Sequence, residues 1–251
     1  MSSTIKVKNM ELGSGLPKIC IPLTDKDLES LKKSINIIKT TPFDFIEWRA
    51  DFYKGVEDPE TRLKAMALFR SELKNSPVLF TIRTSAEGGT MEIDADAYTK
   101  ILLAVIESGL IDMVDVELSK GESTMRTIID AAHTFGVKVV ASRHNFNSTP
   151  DKSIIVSNLC QMQALGADVV KFAVMPQSER DVLTLLDATL TMKEEHNDTP
   201  VITMSMSHYG MISRVCGELF GSCVTFGTAG KASAPGQLPA NLLSIFLKSL
   251  S

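Results

Sequence analysis

A lysine stands in the middle of an apolar run, "ADVVKFAVMP" at 167–176. Val169, Val170, Phe172, Ala173 and Val174 around it read as one strand buried on both faces, the pattern of a parallel sheet. A charged amine is costly in such a place, and burial favours its neutral form. A neutral amine is a nucleophile that forms a Schiff base with a ketone. The protonated imine then withdraws electrons and acidifies the neighbouring carbon. Lys171 alone could equally run its stem along the strand and leave its charge in water. The residues that could act with it decide between the two.

Polar residues recur where apolar runs end. "FIEWRAD" offers Glu47 and Arg49, whose i, i+2 spacing puts both on one face of a strand. "RTSAEGG" offers Arg83 and Glu87, followed by Gly88 and Gly89, which let the chain bend close to a ligand. "ASRHNF" offers His144, "MSMSHYGMISR" offers Arg214, and "TAGKASAPGQLP" offers Ser233 and Gln237. Histidine moves protons in both directions near neutrality. An acid such as Glu87 can orient the imidazole and stabilise its cation. Arg49, Arg83 and Arg214 are forks suited to a carboxylate or polyol. Together these residues describe Schiff-base chemistry on a small oxygenated keto acid. Elimination and aldol cleavage both fit them.

The elements that must position these groups follow from periodicity. Eight short apolar runs lie at 18–23, 44–50, 78–83, 111–118, 137–142, 168–174, 200–205 and 222–227. Amphipathic stretches alternate with them, near 25–40, 58–75, 94–108, 121–135, 152–165, 178–196, 211–220 and 239–249. Alternating strands and helices imply βαβ units and a parallel sheet, and eight of each is the count of a closed (β/α)8 TIM barrel. An open doubly wound sheet would have fewer strands. In such barrels the active site is built at the C-terminal ends of the strands, where the polar residues above fall. "IKVKNMELGSG" at 5–15 alternates ahead of the first run and contains Gly13 and Gly15. It predicts an N-terminal β-hairpin capping the barrel bottom. With no long linker or repeat, residues 1–251 read as one domain of the α/β class.

Composition excludes several functions. The net charge of −4 offers no basic field for nucleic acid. No apolar stretch is long enough to span a membrane, and the N-terminus lacks a signal-peptide core, which points to the cytoplasm. The four cysteines form no CxxC pair and read as reduced. The four histidines form no zinc pattern, so neither metal nor cofactor is expected. "GTAGKAS" at 227–233 resembles a phosphate loop, but Thr225 stands where that loop needs its first glycine. "EEHND" at 194–198 reads as a solvated helix end.

"EWRAD", "RTSAEGG", "KFAVMP", "TMSMSHYGMISR", "FGSCVTFG" and "KASAPGQ", in that order and spacing, resemble the type I 3-dehydroquinate dehydratase family over about residues 17–247. The resemblance implies a (β/α)8 barrel, a homodimer, no metal or cofactor, and syn elimination of water from 3-dehydroquinate in the shikimate pathway. It gives Lys171 the Schiff base, His144 the proton transfers and Glu87 the orientation of His144. It gives Arg214, Ser233 and Gln237 the substrate carboxylate and hydroxyls. Glu47, Arg49 and Arg83 would contact hydroxyls and order the rim, and Met206 and Phe226 would pack on the ring. The chain departs from the family pattern at Asn145, where an aspartate usually follows the histidine, and at Arg143 before it. Val170 replaces a frequent proline, and Gly230 replaces a frequent second lysine. With an uncharged Asn145, a lowered His144 pKa is the expectation. A class I aldolase shares the imine but would want a phosphate site, and a non-catalytic sensor of shikimate-like acids would need no buried nucleophile.

Overall fold

The computed structural model describes residues 3–230 and 232–250. Lys231 of the "KASAPGQ" motif therefore lies outside the described residues. A short antiparallel hairpin, β1 (Ile5–Val7) and β2 (Met10–Leu12), opens the chain. Strands and helices then alternate. β3 (Lys18–Leu23) leads to α1 (Leu28–Ile38), β4 (Phe45–Arg49) to α2 (Pro59–Glu72), and β5 (Val78–Thr81) to α3 (Ala95–Glu107). β6 (Met113–Glu117) leads to α4 (Glu122–Thr134), β7 (Lys138–Asn145) to α5 (Lys152–Ala164), and β8 (Val169–Val174) to α6 (Glu179–Glu195). β9 (Val201–Ser205) is followed by two short helices, α7 (Met211–Val215) and α8 (Gly217–Phe220). β10 (Val224–Thr228), a two-residue β11 (Leu238–Pro239) and α9 (Ala240–Leu250) close the chain.

The strands from β3 to β10 pair in parallel, in chain order, with β10 beside β3. The ring closes at a parallel bridge between Val201 and Ser222, where the Cys223 N–H donates to the Val201 carbonyl at 2.8 Å. The barrel and the hairpin stand as the sequence predicts. Helix starts are set by aspartates. Asp27, Asp58 and Asp94 each accept a hydrogen bond from the backbone N–H three residues on, satisfying a donor the first turn leaves free.

Strand alternation divides the core in two. Outward residues such as Ile46, Trp48, Phe80, Val114 and Phe172 pack under the helices. Inward residues Cys20, Phe45, Leu79, Met113, Val140, Val169, Ile202 and Val224 form an apolar layer inside the ring. Val7, Met10 and Leu12 of the hairpin join that layer and seal the end where the strands begin. Two residues further along β4 to β8 the inward positions turn polar, at Glu47, Thr81, Asp115, Ser142 and Lys171.

Two elements differ from expectation. The helix anticipated over 211–220 is broken at Cys216. The Arg214 carbonyl, which a continuous helix would offer to the Glu218 N–H, instead accepts from the Thr225 hydroxyl at 2.8 Å. β7 also runs three residues past its expected end, because it stays paired with β8 as far as Asn145 and Val174.

Candidate active site

The polar inward positions converge above the apolar layer. Lys171 on β8 is buried, and its Nζ lies 3.5 Å from Glu47 Oε1 and 3.7 Å from Asp115 Oδ2. The same nitrogen sits 4.5 Å from the centre of the Phe226 ring, over its electron-rich face. The pocket around the amine is thus not purely apolar, as the hydrophobic run around Lys171 suggested. The neighbours in sequence point outward to the helices, while its neighbours in space are two acids and a ring.

His144, at the end of β7, meets Glu87. Its Nδ1 lies 3.0 Å from Glu87 Oε2, which also accepts the His144 backbone N–H at 2.9 Å. An ionised carboxylate only accepts, so the ring proton sits on Nδ1 and Nε2 keeps its lone pair. Burial, reinforced by the charges of Arg83 and Lys171, pushes the imidazole well below its usual range and keeps it neutral. Glu87 reaches this position through a short turn after β5 that ends in Gly88, with φ at +79°, and Gly89. Arg143 lies 3.3 Å from the other Glu87 oxygen.

Arg83 is the centre of a buried ionic network. Its guanidinium lies 2.8 Å from both Asp115 and Glu117, 2.9 Å from the Ser142 hydroxyl and 3.6 Å from Glu87. Burial works against its charge, but the carboxylates Asp115, Glu117, Glu87 and Glu47 outweigh that and raise its pKa. Arg49 makes a two-pronged pair with Asp51, at 2.8 and 2.9 Å. Arg214 differs from both. It is buried, donates to the Pro235 carbonyl at 3.1 Å, and pairs with no carboxylate among the described residues. Burial alone lowers its pKa to about 10, so it stays charged at neutral pH. Pro235 belongs to the loop in which Gln237 Oε1 accepts the Ser233 N–H at 2.7 Å.

One cavity is lined by Lys171, His144, Glu47, Arg49, Arg83, Arg214, Ser233, Gln237, Met206 and Phe226. Glu87, the remaining candidate, stands behind His144. Among the described residues no group of three His, Cys, Asp or Glu could hold a metal ion.

A model of the type I 3-dehydroquinase family matches residues 19–251. The chain belongs to this family. It is 46% identical to the 3-dehydroquinate dehydratase of Clostridium kluyveri over 252 residues, covering 100% of this chain and 99% of that one. The corresponding protein of Listeria welshimeri is 48% identical over 239 residues, 95% of this chain and 94% of its own. Among solved structures, type I 3-dehydroquinate dehydratase from Clostridium difficile, with covalently modified comenic acid, superposes with a TM-score of 0.97. It is 45% identical and covers 100% of this chain and 98% of its own. The Geobacillus kaustophilus 3-dehydroquinate dehydratase gives a TM-score of 0.95 at 37% identity, covering 100% of this chain and 98% of that one. The expected family, barrel and enzyme class, a hydro-lyase, are all borne out.

The departures from the 3-dehydroquinase pattern now have places. Asn145 points away from the imidazole: its Oδ1 accepts the N–H groups of Asn147 and Ser148 at 2.9 and 3.0 Å and ties the following loop. The depressed basicity of His144 thus comes first from burial. Residues that sequence reasoning passed over are Asp115, Glu117, Ser142, Thr81 and Asp51. Asp115 and Glu117 in "IDMVDVEL" have the same i, i+2 spacing that singled out Glu47 and Arg49, so the signal was present.

Proposed function

We propose that this chain dehydrates 3-dehydroquinate to 3-dehydroshikimate by syn elimination, through a Schiff base on Lys171. The amine adds to the ketone, and with the uptake of one proton water leaves to give an iminium. Neutral His144 takes a proton from the adjacent carbon, and the C–H electron pair forms an enamine. The enamine re-forms the iminium as the β C–O bond breaks, and His144 returns its proton to the departing hydroxyl. Hydrolysis frees Lys171. Glu87 stabilises the imidazolium in between. Arg214 receives the substrate carboxylate, with Ser233 and Gln237 on the ring hydroxyls.

The observation that carries this reading is the shared cavity. An amine and a neutral, carboxylate-oriented imidazole face it together with a cation that has no acid of its own. A charge left so, buried and unpaired, is costly unless a ligand anion completes it. The pairing of Arg49 with Asp51 and of Arg83 with three acids leaves those two to order the rim. The test is reduction with borohydride in the presence of 3-dehydroquinate, with mass mapping and the ultraviolet absorbance of the product. An adduct on Lys171 with rising absorbance is expected. Lys171→Ala should lose both, and His144→Ala should accumulate the covalent species. Turnover by Lys171→Ala overturns the mechanism.

We further propose a homodimer in the cytoplasm. Ile212, Leu219, Leu242, Ile245 and Phe246 leave a concentration of exposed apolar side chains on α7, α8 and α9, and all four cysteines are free. Sedimentation at the mass of one chain would contradict the dimer.

A further inference from the structure

Asp115 has no part in the reaction as described, yet it is wholly buried beside the reacting nitrogen. Its Oδ2 stands 3.7 Å from Lys171 Nζ and 2.8 Å from Arg83 Nη2. Its Oδ1 accepts the Ser142 hydroxyl at 2.6 Å. The carboxylate is therefore held on two sides and presented to the lysine. Burial opposes its charge, but Arg83, then Lys171 and His144, outweigh that and hold the carboxyl below its usual range. Glu47 is as near the amine, at 3.5 Å, but it lines the cavity, where substrate hydroxyls compete for it. Asp115 is not part of the cavity lining. A ligand filling the cavity leaves its contact with the nitrogen intact.

We infer that Asp115 is the counter-ion that keeps the Lys171 imine protonated, with Arg83 and Ser142 holding it in place. The inference rests on the Schiff-base reading above. Charge balance shows why such a group is needed. A neutral amine, a ketone and one proton give an iminium and water, so the nitrogen is cationic once the bond has formed. It becomes neutral only in the enamine, and cationic again when the hydroxyl leaves. A neutral imine would be a weak electron sink for proton abstraction. The other groups facing the nitrogen are Glu47 from β4, His144 from β7 and the Phe226 ring from β10. Cys20 from β3 is held neutral by burial. Glu117 sits further along β6, committed to Arg83 and Thr84. Met204 on β9 and Met206 just after it supply only apolar surface. Of these, only Glu47 shares the task, from the side the substrate enters.

The test follows the covalent adduct of the full chain with 3-dehydroquinate across pH. Cyanoborohydride reduces protonated imines far faster than neutral ones, so the pH at which adduct formation on Lys171 falls off reports the imine's own protonation. In Asp115→Asn this alkaline limb should move down by at least about one pH unit, the size expected when an opposite charge at this range is removed. The kcat should fall at least about tenfold while KM moves little, because Asp115 does not line the substrate's cavity. Glu117→Gln, which also disturbs the Arg83 network, should leave the limb in place. Ser142→Ala should move it in the same direction by less, and carries the test should Asp115→Asn fail to fold. Coincident profiles for the wild type and the folded Asp115 or Ser142 variant overturn the inference. A wild type that yields no adduct on Lys171 overturns instead the Schiff-base reading on which it stands.

Discussion

Glu87 serves two masters. One oxygen holds His144, and the other lies 3.3 Å from Arg143, a side chain that is 40% exposed. The family's usual residues around the histidine drew attention to Asn145, yet Arg143 is the departure that touches Glu87. Its charge stands against that of Glu87, the carboxylate that would stabilise the His144 cation. Arg143→Met should raise the imidazole pKa. The base must be neutral to accept a proton, so the acidic limb of the pH–rate profile should move to higher pH. Solvent screening of a pair with one half-exposed partner keeps the shift small. A limb that stays put or moves down would refute the assignment. Asn145→Asp, by contrast, should keep the loop bonds and shift the limb less. None of this was readable from the motif alone. Arg143 and Glu87 are 56 residues apart, and spacing within a segment does not say which charges meet across strands.

The element that delivers Glu87 is the loop after β5. A Cβ added at Gly89 would stand 1.8 Å from the Arg83 carbonyl oxygen, and one at Gly88 would meet the Phe146 ring at 2.3 Å. Asp51 anchors the same loop by accepting the Arg83 N–H at 3.3 Å and the Thr90 N–H at 3.2 Å. Gly89→Ala cannot be absorbed by a flexible side chain, because the clash is with backbone. It should cost about 2–4 kcal/mol of stability and lower kcat sharply by displacing Glu87. Thermal melts and steady-state rates check both, and an unchanged melt with full activity would show that the loop has another path. Sequence reasoning expected these glycines to bend the chain close to a ligand, and Gly88 does line the cavity. Gly89 has a different duty, close approach to the backbone of Arg83. Strands and helices were legible almost to the residue, because alternation and aspartate caps are local signals. The break between α7 and α8 was not, because it depends on Thr225 reaching across from β10.

At the scale of the molecule, the barrel is apolar where the strands begin and ionic where they end. The apolar end follows from the sequence by strand parity. The ionic end was only half visible, since the hydrophobic run around Lys171 concealed two acids supplied by β4 and β6. Such an interior ties stability to pH through His144. Its pKa is held well below the unfolded value by burial and by Arg83 and Lys171. The unfolded chain therefore binds a proton at His144 that the native chain refuses. The native state has its full stability above about pH 6.5, the unfolded histidine value, and loses it as pH falls toward the folded value. One proton gives a slope of about 1 kcal/mol per pH unit through that window. Asp115, depressed in the same way relative to carboxylates, adds to the loss below about pH 4. Glu117 and Asp25, raised by burial, bind protons in the native state and act in the opposite sense near the carboxylate range. Urea unfolding between pH 7 and 5 should thus show falling stability in the wild type and a flatter profile in His144→Gln, whose amide takes up no proton. Parallel profiles would mean that the imidazole is protonated alike in the native and unfolded chains, and that burial does not hold this base neutral below about pH 6.5.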